Sequence, residues 1–165
     1  MKKFLGKIGA VLLASALVVG ITSCGKRFDS PAGAAYKFSE ATMSGTKYTV
    51  KGNSLTLESN GQTGTITKNG DTYTATVNGT TTAANSSQIN MYNSLVNTTL
   101  TFANSGNTVT ATSGSSSSGL SGTYAVSGDS ISVTLSGNTS TGRTNDAWVT
   151  IVFTQGNDTQ IYERQ

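Results

Sequence analysis

The chain has 165 residues, of which 12% are charged, and it contains no histidine and a single cysteine. The commonest general base and metal ligand is therefore missing, and one cysteine cannot build a Cys-rich metal site. Three lysines in the first seven residues supply the formal net charge of +3. The remainder is balanced, with eight basic and eight acidic residues, and lacks the basic excess of a nucleic-acid-binding protein.

The first 24 residues have the layout of a secretory signal peptide: a basic head, an apolar stretch over residues 8–19 and small residues before Cys24. An uncleaved transmembrane helix is disfavoured, because the apolar residues 8–22 are fewer than the roughly 20 that span a bilayer. The other alternative is an ordinary cleaved signal followed by a chance cysteine. It is disfavoured because an exported thiol without a partner is unusual.

The residues Ile21, Thr22, Ser23 and Cys24 resemble the bacterial lipobox. The resemblance implies cleavage between Ser23 and Cys24 and attachment of diacylglyceryl and acyl chains to Cys24. Several acyl chains would hold the protein firmly on a membrane. No acidic residue follows within three positions, which by analogy with such lipoproteins indicates the outer membrane. The domain prediction is a signal peptide over residues 1–23, a lipidated tether over 24–35 and a β domain over 36–165.

The tether contains the only proline of the chain, Pro31, and shows no periodicity, so it is expected to be a spacer. Beyond it, alternation of apolar and polar residues predicts short β-strands. Tyr48 and Val50 alternate with polar residues before a Gly-Asn pair, and Leu55 and Leu57 alternate after it. This pattern predicts a hairpin with glycine at the first central position of the turn. Asn-Gly pairs at 60–61, 69–70 and 78–79 predict further hairpins in an antiparallel meander.

One segment differs from the strands around it. Ile89, Tyr92 and Val96 are spaced as on one face of a helix, which predicts a short helix over residues 87–96, capped by Ser86 or Ser87. The serine-rich residues 113–119 and the polar residues 138–145 are expected to be surface loops.

The most apolar strand is predicted over residues 147–154. Its odd-numbered residues from Ala147 to Phe153 are apolar and face one way, whereas Trp148 and Val152 face the other. Trp148 is predicted to point away from the main apolar face of this strand. It is therefore the candidate for an exposed or ligand-binding aromatic residue.

The hairpin Gly122-Thr-Tyr-Ala-Val-Ser-Gly-Asp-Ser-Ile131 is similar to hairpins in the lipocalin-like domains of small bacterial lipoproteins. Residues 48–57 repeat it without the leading glycine. Together with nine or ten predicted strands, this favours an all-β fold, an antiparallel meander closing into a small barrel. A two-sheet β-sandwich is the alternative.

These patterns carry no catalytic motif, since the eight acidic residues are scattered and several lie at turns. We expect no enzymatic activity, no cofactor, no metal and no nucleic-acid partner. The leading expectation is a lipid-anchored, non-catalytic component or antigen of the outer membrane or cell surface. The alternative is a binding module, which holds a small apolar ligand in the barrel or binds a protein such as a host factor or hydrolase. A cavity of about 300 Å³ or more would favour a ligand-binding barrel.

Overall fold

The computed structural model describes residues 28–114, 119–144 and 147–165. These residues form 13 antiparallel strands and one α-helix, which confirms the all-β class and the short helix. The predicted nine or ten strands were too few. The elements are β1 (Ala35–Met43), β2 (Thr46–Lys51), β3 (Ser54–Ser59), β4 (Gln62–Asn69), β5 (Thr72–Val77), β6 (Thr80–Ala83), α1 (Ser86–Val96), β7 (Thr99–Phe102), β8 (Thr108–Thr112), β9 (Leu120–Ser127), β10 (Ser130–Leu135), β11 (Asn138–Thr144), β12 (Thr150–Gln155) and β13 (Asp158–Arg164).

Eight of these strands, β1 and β7 to β13, form a closed barrel. The barrel closes because β13 pairs with β1 as well as with β12, so that Tyr36 lies opposite Arg164 and Thr42 opposite Thr159. Closure satisfies the backbone groups that an open sheet would leave at its two edges. The expected barrel is therefore confirmed, and the sandwich is not formed.

Inward-facing side chains fill much of the barrel with one apolar cluster. Aromatic rings of this cluster meet edge to face: the ring of Phe102 contacts Tyr36 at 5.5 Å and Tyr124 at 5.0 Å between centroids. Such pairs stabilise a core beyond the effect of buried area alone. The outward positions of the same strands carry mainly threonine and serine, which explains the alternation in the sequence.

The chain does not follow a simple meander, because strands β2 to β6 form an extension of the sheet outside the barrel. The first part of β1 pairs with β7 at Ala35 to Lys37, and its last part pairs with β2 at Glu40 to Met43. Strand β1 is thus shared by the barrel and the extension. Strand β6 ends the extension, and all four of its residues are exposed.

Helix α1 covers one face of the extension, where Tyr92 and Val96 pack against Leu55 and Ile66. The N-cap is Asn85 rather than either predicted serine. Its side chain accepts from the N–H of Gln88, and the Gln88 side chain accepts from the N–H of Asn85. This reciprocal pair satisfies two of the backbone donors that a helix start leaves free. Within the described residues, no helix has the length and apolar character needed to cross a membrane.

The tight turns follow the sequence signals. At the turn between β2 and β3, Gly52 has a φ of 58°, as expected for glycine at the first central position. At the turn between β3 and β4, both Asn60 and Gly61 have positive φ, the conformation that an Asn-Gly pair favours. These turns fix the register of the strands, and hence the side of the sheet on which each side chain lies.

Candidate ligand-binding site

The two ends of the barrel differ in how they are filled. Strand β13 runs from Asp158 at one end to Arg164 at the other, and its antiparallel neighbour β12 runs back to Gln155 beside Asp158. We call the end near Asp158 the open end and the end near Arg164 the closed end.

Residues 28–34 and Trp148 fill the closed end. The Arg164 guanidinium lies 3.6 Å from the centroid of the Phe28 ring and donates to the Ser30 carbonyl at 3.1 Å. Pro31 and Ala34 are buried. The part of the predicted tether that the structure describes is therefore packed onto the barrel and is not a free spacer, because its apolar residues and Arg164 bind it there.

The open end contains a cavity of about 510 Å³. Its apolar lining comes from barrel strands and consists of Met43, Leu100, Val133, Leu135, Phe153 and Tyr162. Its polar lining comes from β11, from the end of β12 and from the start of β13, and consists of Asn138, Thr139, Ser140, Thr141, Thr154, Gln155, Asp158 and Gln160. Such a mixture offers one apolar wall and one hydrogen-bonding wall to a small molecule.

The cavity exists because the positions of β11 on the inward face of the sheet carry small or polar residues, of which Gly142 is buried and Asn138 and Ser140 are exposed. In the register of the sheet, Asn138 lies opposite Leu135, Ser140 opposite Val133 and Gly142 opposite Ile131. Residues directly opposite each other point to the same face, so these three positions face the interior. No large apolar side chain of β11 fills that space, and the open end stays hollow.

Gly142 also determines where the ring of Phe153 lies. A Cβ atom at position 142 would stand 2.9 Å from Cδ1 of Phe153 and 2.9 Å from the Val152 carbonyl oxygen. Glycine at this position therefore lets the Phe153 ring lie against the β11 backbone, where it lines the cavity without filling it.

Asp158 is the only Asp, Glu, Lys or Arg among the described residues that line the cavity. It lies at the start of β13, and its Oδ1 accepts from the backbone N–H of Ser44 at 2.9 Å. This bond joins the turn before β13 to the turn between β1 and β2. The carboxylate is thereby held at the rim of the open end.

Tyr162 lies in the apolar wall of the cavity. Burial raises the pKa of its phenol to about 12, so the group stays protonated at neutral pH. Its hydroxyl donates to Oε1 of Gln160 at 3.2 Å. Tyr162 is thus a neutral hydrogen-bonding group in this cavity and is unsuited to act as a general base there.

The structure separates Trp148 from the cavity. Trp148 is 6% exposed, belongs to the apolar cluster that fills the barrel and is absent from the cavity lining. The predicted alternation failed because β12 begins only at Thr150, and Trp148 has a left-handed φ of 50° that breaks the strand pattern. The prediction that Trp148 is an exposed aromatic residue was wrong, and Trp148 cannot contact a ligand in this cavity.

Cys24 and Ser23, the predicted lipidation and cleavage residues, lie outside the described residues. The expected loop over 113–119 lies partly outside them, at 115–118. The expected loop over 138–145 was wrong for residues 138–144, which form β11. This strand was missed because its inward residues are not apolar. The available signal for this cavity wall was a polar stretch of strand length next to two clearly predicted strands.

No protein-family model, no curated protein and no solved structure matches this chain. Across residues 28–114, 119–144 and 147–165, no three Cys, Asp or Glu side chains lie close enough together to hold a metal ion. The open-end cavity is therefore the strongest candidate site in the described part of the chain.

Proposed function

We propose that this protein is a lipid-anchored, non-catalytic protein of the bacterial outer membrane whose barrel binds a small amphipathic molecule at its open end. The observation that carries the proposal is the cavity of about 510 Å³. Its volume lies within the range of about 300–1,000 Å³ that small-molecule sites occupy. An apolar wall facing a polar wall suits a ligand that is itself apolar at one end and polar at the other.

The sequence around Cys24 and the position of Phe28 support an anchor at the closed end. Phe28 is four residue steps from Cys24 along the chain, a reach of at most about 14 Å, and Phe28 packs at the closed end. A lipid on Cys24 would hold this end near the membrane and leave the open end facing the aqueous side. The ligand would then enter from solution and not from the bilayer.

A non-catalytic role agrees with the chemistry of the cavity. Of the described residues that line it, Asp158 is the only one with a charged type of side chain, and the Tyr162 phenol is neutral. Glycoside cleavage by the usual mechanism needs two carboxyl groups that flank the scissile bond. Binding needs only the shape and the hydrogen-bonding groups that the cavity offers.

The binding proposal is tested with hexyl glucoside, a neutral amphipathic probe, added to the full chain held in phosphatidylcholine nanodiscs. Calorimetric heats are corrected with empty nanodiscs. We expect saturable binding that Ser140→Trp abolishes, because this side chain points into the cavity. The matched control is Thr123→Trp, at an exposed position on the outside of β9 that does not line the cavity. Equal binding by both variants would place the probe elsewhere and refute the proposal.

The anchor is tested by mass spectrometry of the protein isolated from membranes of a bacterial host. We expect a polypeptide that begins at Cys24 and carries acyl chains. In Cys24→Ala, the precursor should stay uncleaved and lose the lipid. A mature protein with a free thiol, or with another first residue, would contradict lipidation.

A further inference from the structure

The charge of the residues that line the cavity restricts the chemical class of the ligand more than the volume of the cavity does. Six lining residues are apolar, seven are neutral and polar, and the remaining one is Asp158. No Lys or Arg occurs among the described residues that line the cavity. We propose that the natural ligand is a small organic cation, an amine or quaternary ammonium with a short apolar part, whose charged end lies beside Asp158. This inference depends on the proposed function, because it concerns the ligand of the same cavity.

The surroundings of Asp158 leave its carboxylate available to such a group. Oδ1 accepts one hydrogen bond, from the Ser44 backbone, which orients the carboxylate without neutralising it. Lys47 on β2 is paired with Glu40 at 3.2 Å. Among the described residues no ion pair reaches Asp158, and a bound cation would supply the missing positive charge.

Two aromatic rings in the same cavity favour a cation as well. Phe153 and Tyr162 line it together, with their rings edge to face at 5.8 Å between centroids. The face of an aromatic ring attracts a positive charge, most strongly where water is partly excluded. An anionic amphiphile would instead meet the Asp158 carboxylate with no lining cation to offset the repulsion.

The test compares three probes that share a hexyl chain and differ in the charge of the polar end: hexyltrimethylammonium, hexyl glucoside and hexyl sulfate. Each is titrated calorimetrically into the full chain in phosphatidylcholine nanodiscs, with empty nanodiscs subtracted. We expect the ammonium probe to bind about fivefold or more tightly than the glucoside. The sulfate should bind most weakly.

Asp158→Asn separates the charge of this residue from its structural role. Asparagine keeps an oxygen that accepts from Ser44, so the two turns should stay joined. The variant should lose the preference for the ammonium probe, while its affinity for the glucoside should change little. The matched control is Asp129→Asn, an exposed turn residue between β9 and β10 at the other end of the barrel, which should keep the preference.

The outcomes distinguish this inference from the proposed function. If all three probes bind equally, the cationic ligand is refuted and the binding site stands. If the preference for the ammonium probe survives in Asp158→Asn, the inference that the charged end lies beside Asp158 is refuted, and the binding site again stands. If none of the probes binds, or if Ser140→Trp leaves their binding unchanged, the proposed function falls and the inference falls with it.

Discussion

Removing one hydroxyl group at the closed end of the barrel should cost a measurable part of its stability. Tyr36 is fully buried, and its hydroxyl donates to the Trp148 carbonyl at 2.7 Å. Arg164 donates to the same hydroxyl at 3.4 Å. Burial raises the pKa of this phenol, and Arg164 offsets part of that effect, so the hydroxyl is protonated and able to donate at neutral pH.

In Tyr36→Phe the edge-to-face contact with Phe102 is kept, because the ring is unchanged. The loss is therefore that of the hydrogen bond. A buried carbonyl left without this donor costs about 1–3 kcal/mol, which corresponds to a fall in Tm of roughly 4–12 °C for a domain of this size. The control is Tyr124→Phe, whose hydroxyl makes only a long bond of 3.4 Å to Gly106. It should cost less than about 1 kcal/mol.

Urea unfolding of a soluble form beginning at residue 25 measures both variants, with circular dichroism for the whole fold and tryptophan fluorescence for the closed end. Trp148 is the only tryptophan, so its emission reports on this region directly. Equal losses in the two variants, or a gain in stability for Tyr36→Phe, would refute the view that this buried hydrogen bond stabilises the closed end.

Three further predictions concern other parts of the fold. The pKa of Tyr162 is about 12 in the folded barrel and about 10 in an unfolded chain, so its contribution of about 2–3 kcal/mol to the free energy of unfolding is fully present below pH 10 and is lost as the pH rises to 12. Urea unfolding between pH 9 and 12 should therefore show a shallower loss of stability for Tyr162→Phe than for the unsubstituted protein. Identical slopes would contradict the burial of this phenol. Gly142→Ala should push the Phe153 ring toward the cavity, cost about 1–3 kcal/mol and weaken probe binding, as thermal unfolding and calorimetry would show; unchanged values would mean that the ring is not held by this contact. Asn85→Ala removes the N-cap that pairs with Gln88 and should cost about 1 kcal/mol in urea unfolding, whereas an unchanged midpoint would mean that α1 is held by packing alone.

Much of the extension was predictable from the sequence because its signals are local. Alternation around Tyr48 and Leu55 predicted the faces of β2 and β3, the Gly-Asn pair predicted the turn between them, and the Asn-Gly pairs predicted the turns that follow. The spacing of Tyr92 and Val96 gave the helix. In each case a few adjacent residues determine both the element and the face that it buries.

The cavity was not predictable, because it depends on contacts between distant parts of the chain. Strand β11 carries no apolar alternation, and only its pairing with β10 shows that Ser140 and Gly142 face the interior. The left-handed backbone at Trp148 likewise has no local signal of the kind that glycine gives. The pairing of β1 with β13, β7 and β2 also depends on the whole sheet. The nine residues of β1 do not by themselves predict these three partners.

The sharing of β1 sets the order in which the molecule should open. Paired amide hydrogens of β1 are bonded to β13, β7 or β2, which meet where the barrel joins the extension, so they should report the global unfolding free energy. Protection should then decline outward along the extension, with Thr80 to Ala83 fraying first at its free margin. Deuterium uptake should therefore increase along the five strands of the extension from β2 to β6, whereas the eight strands of the barrel should exchange together.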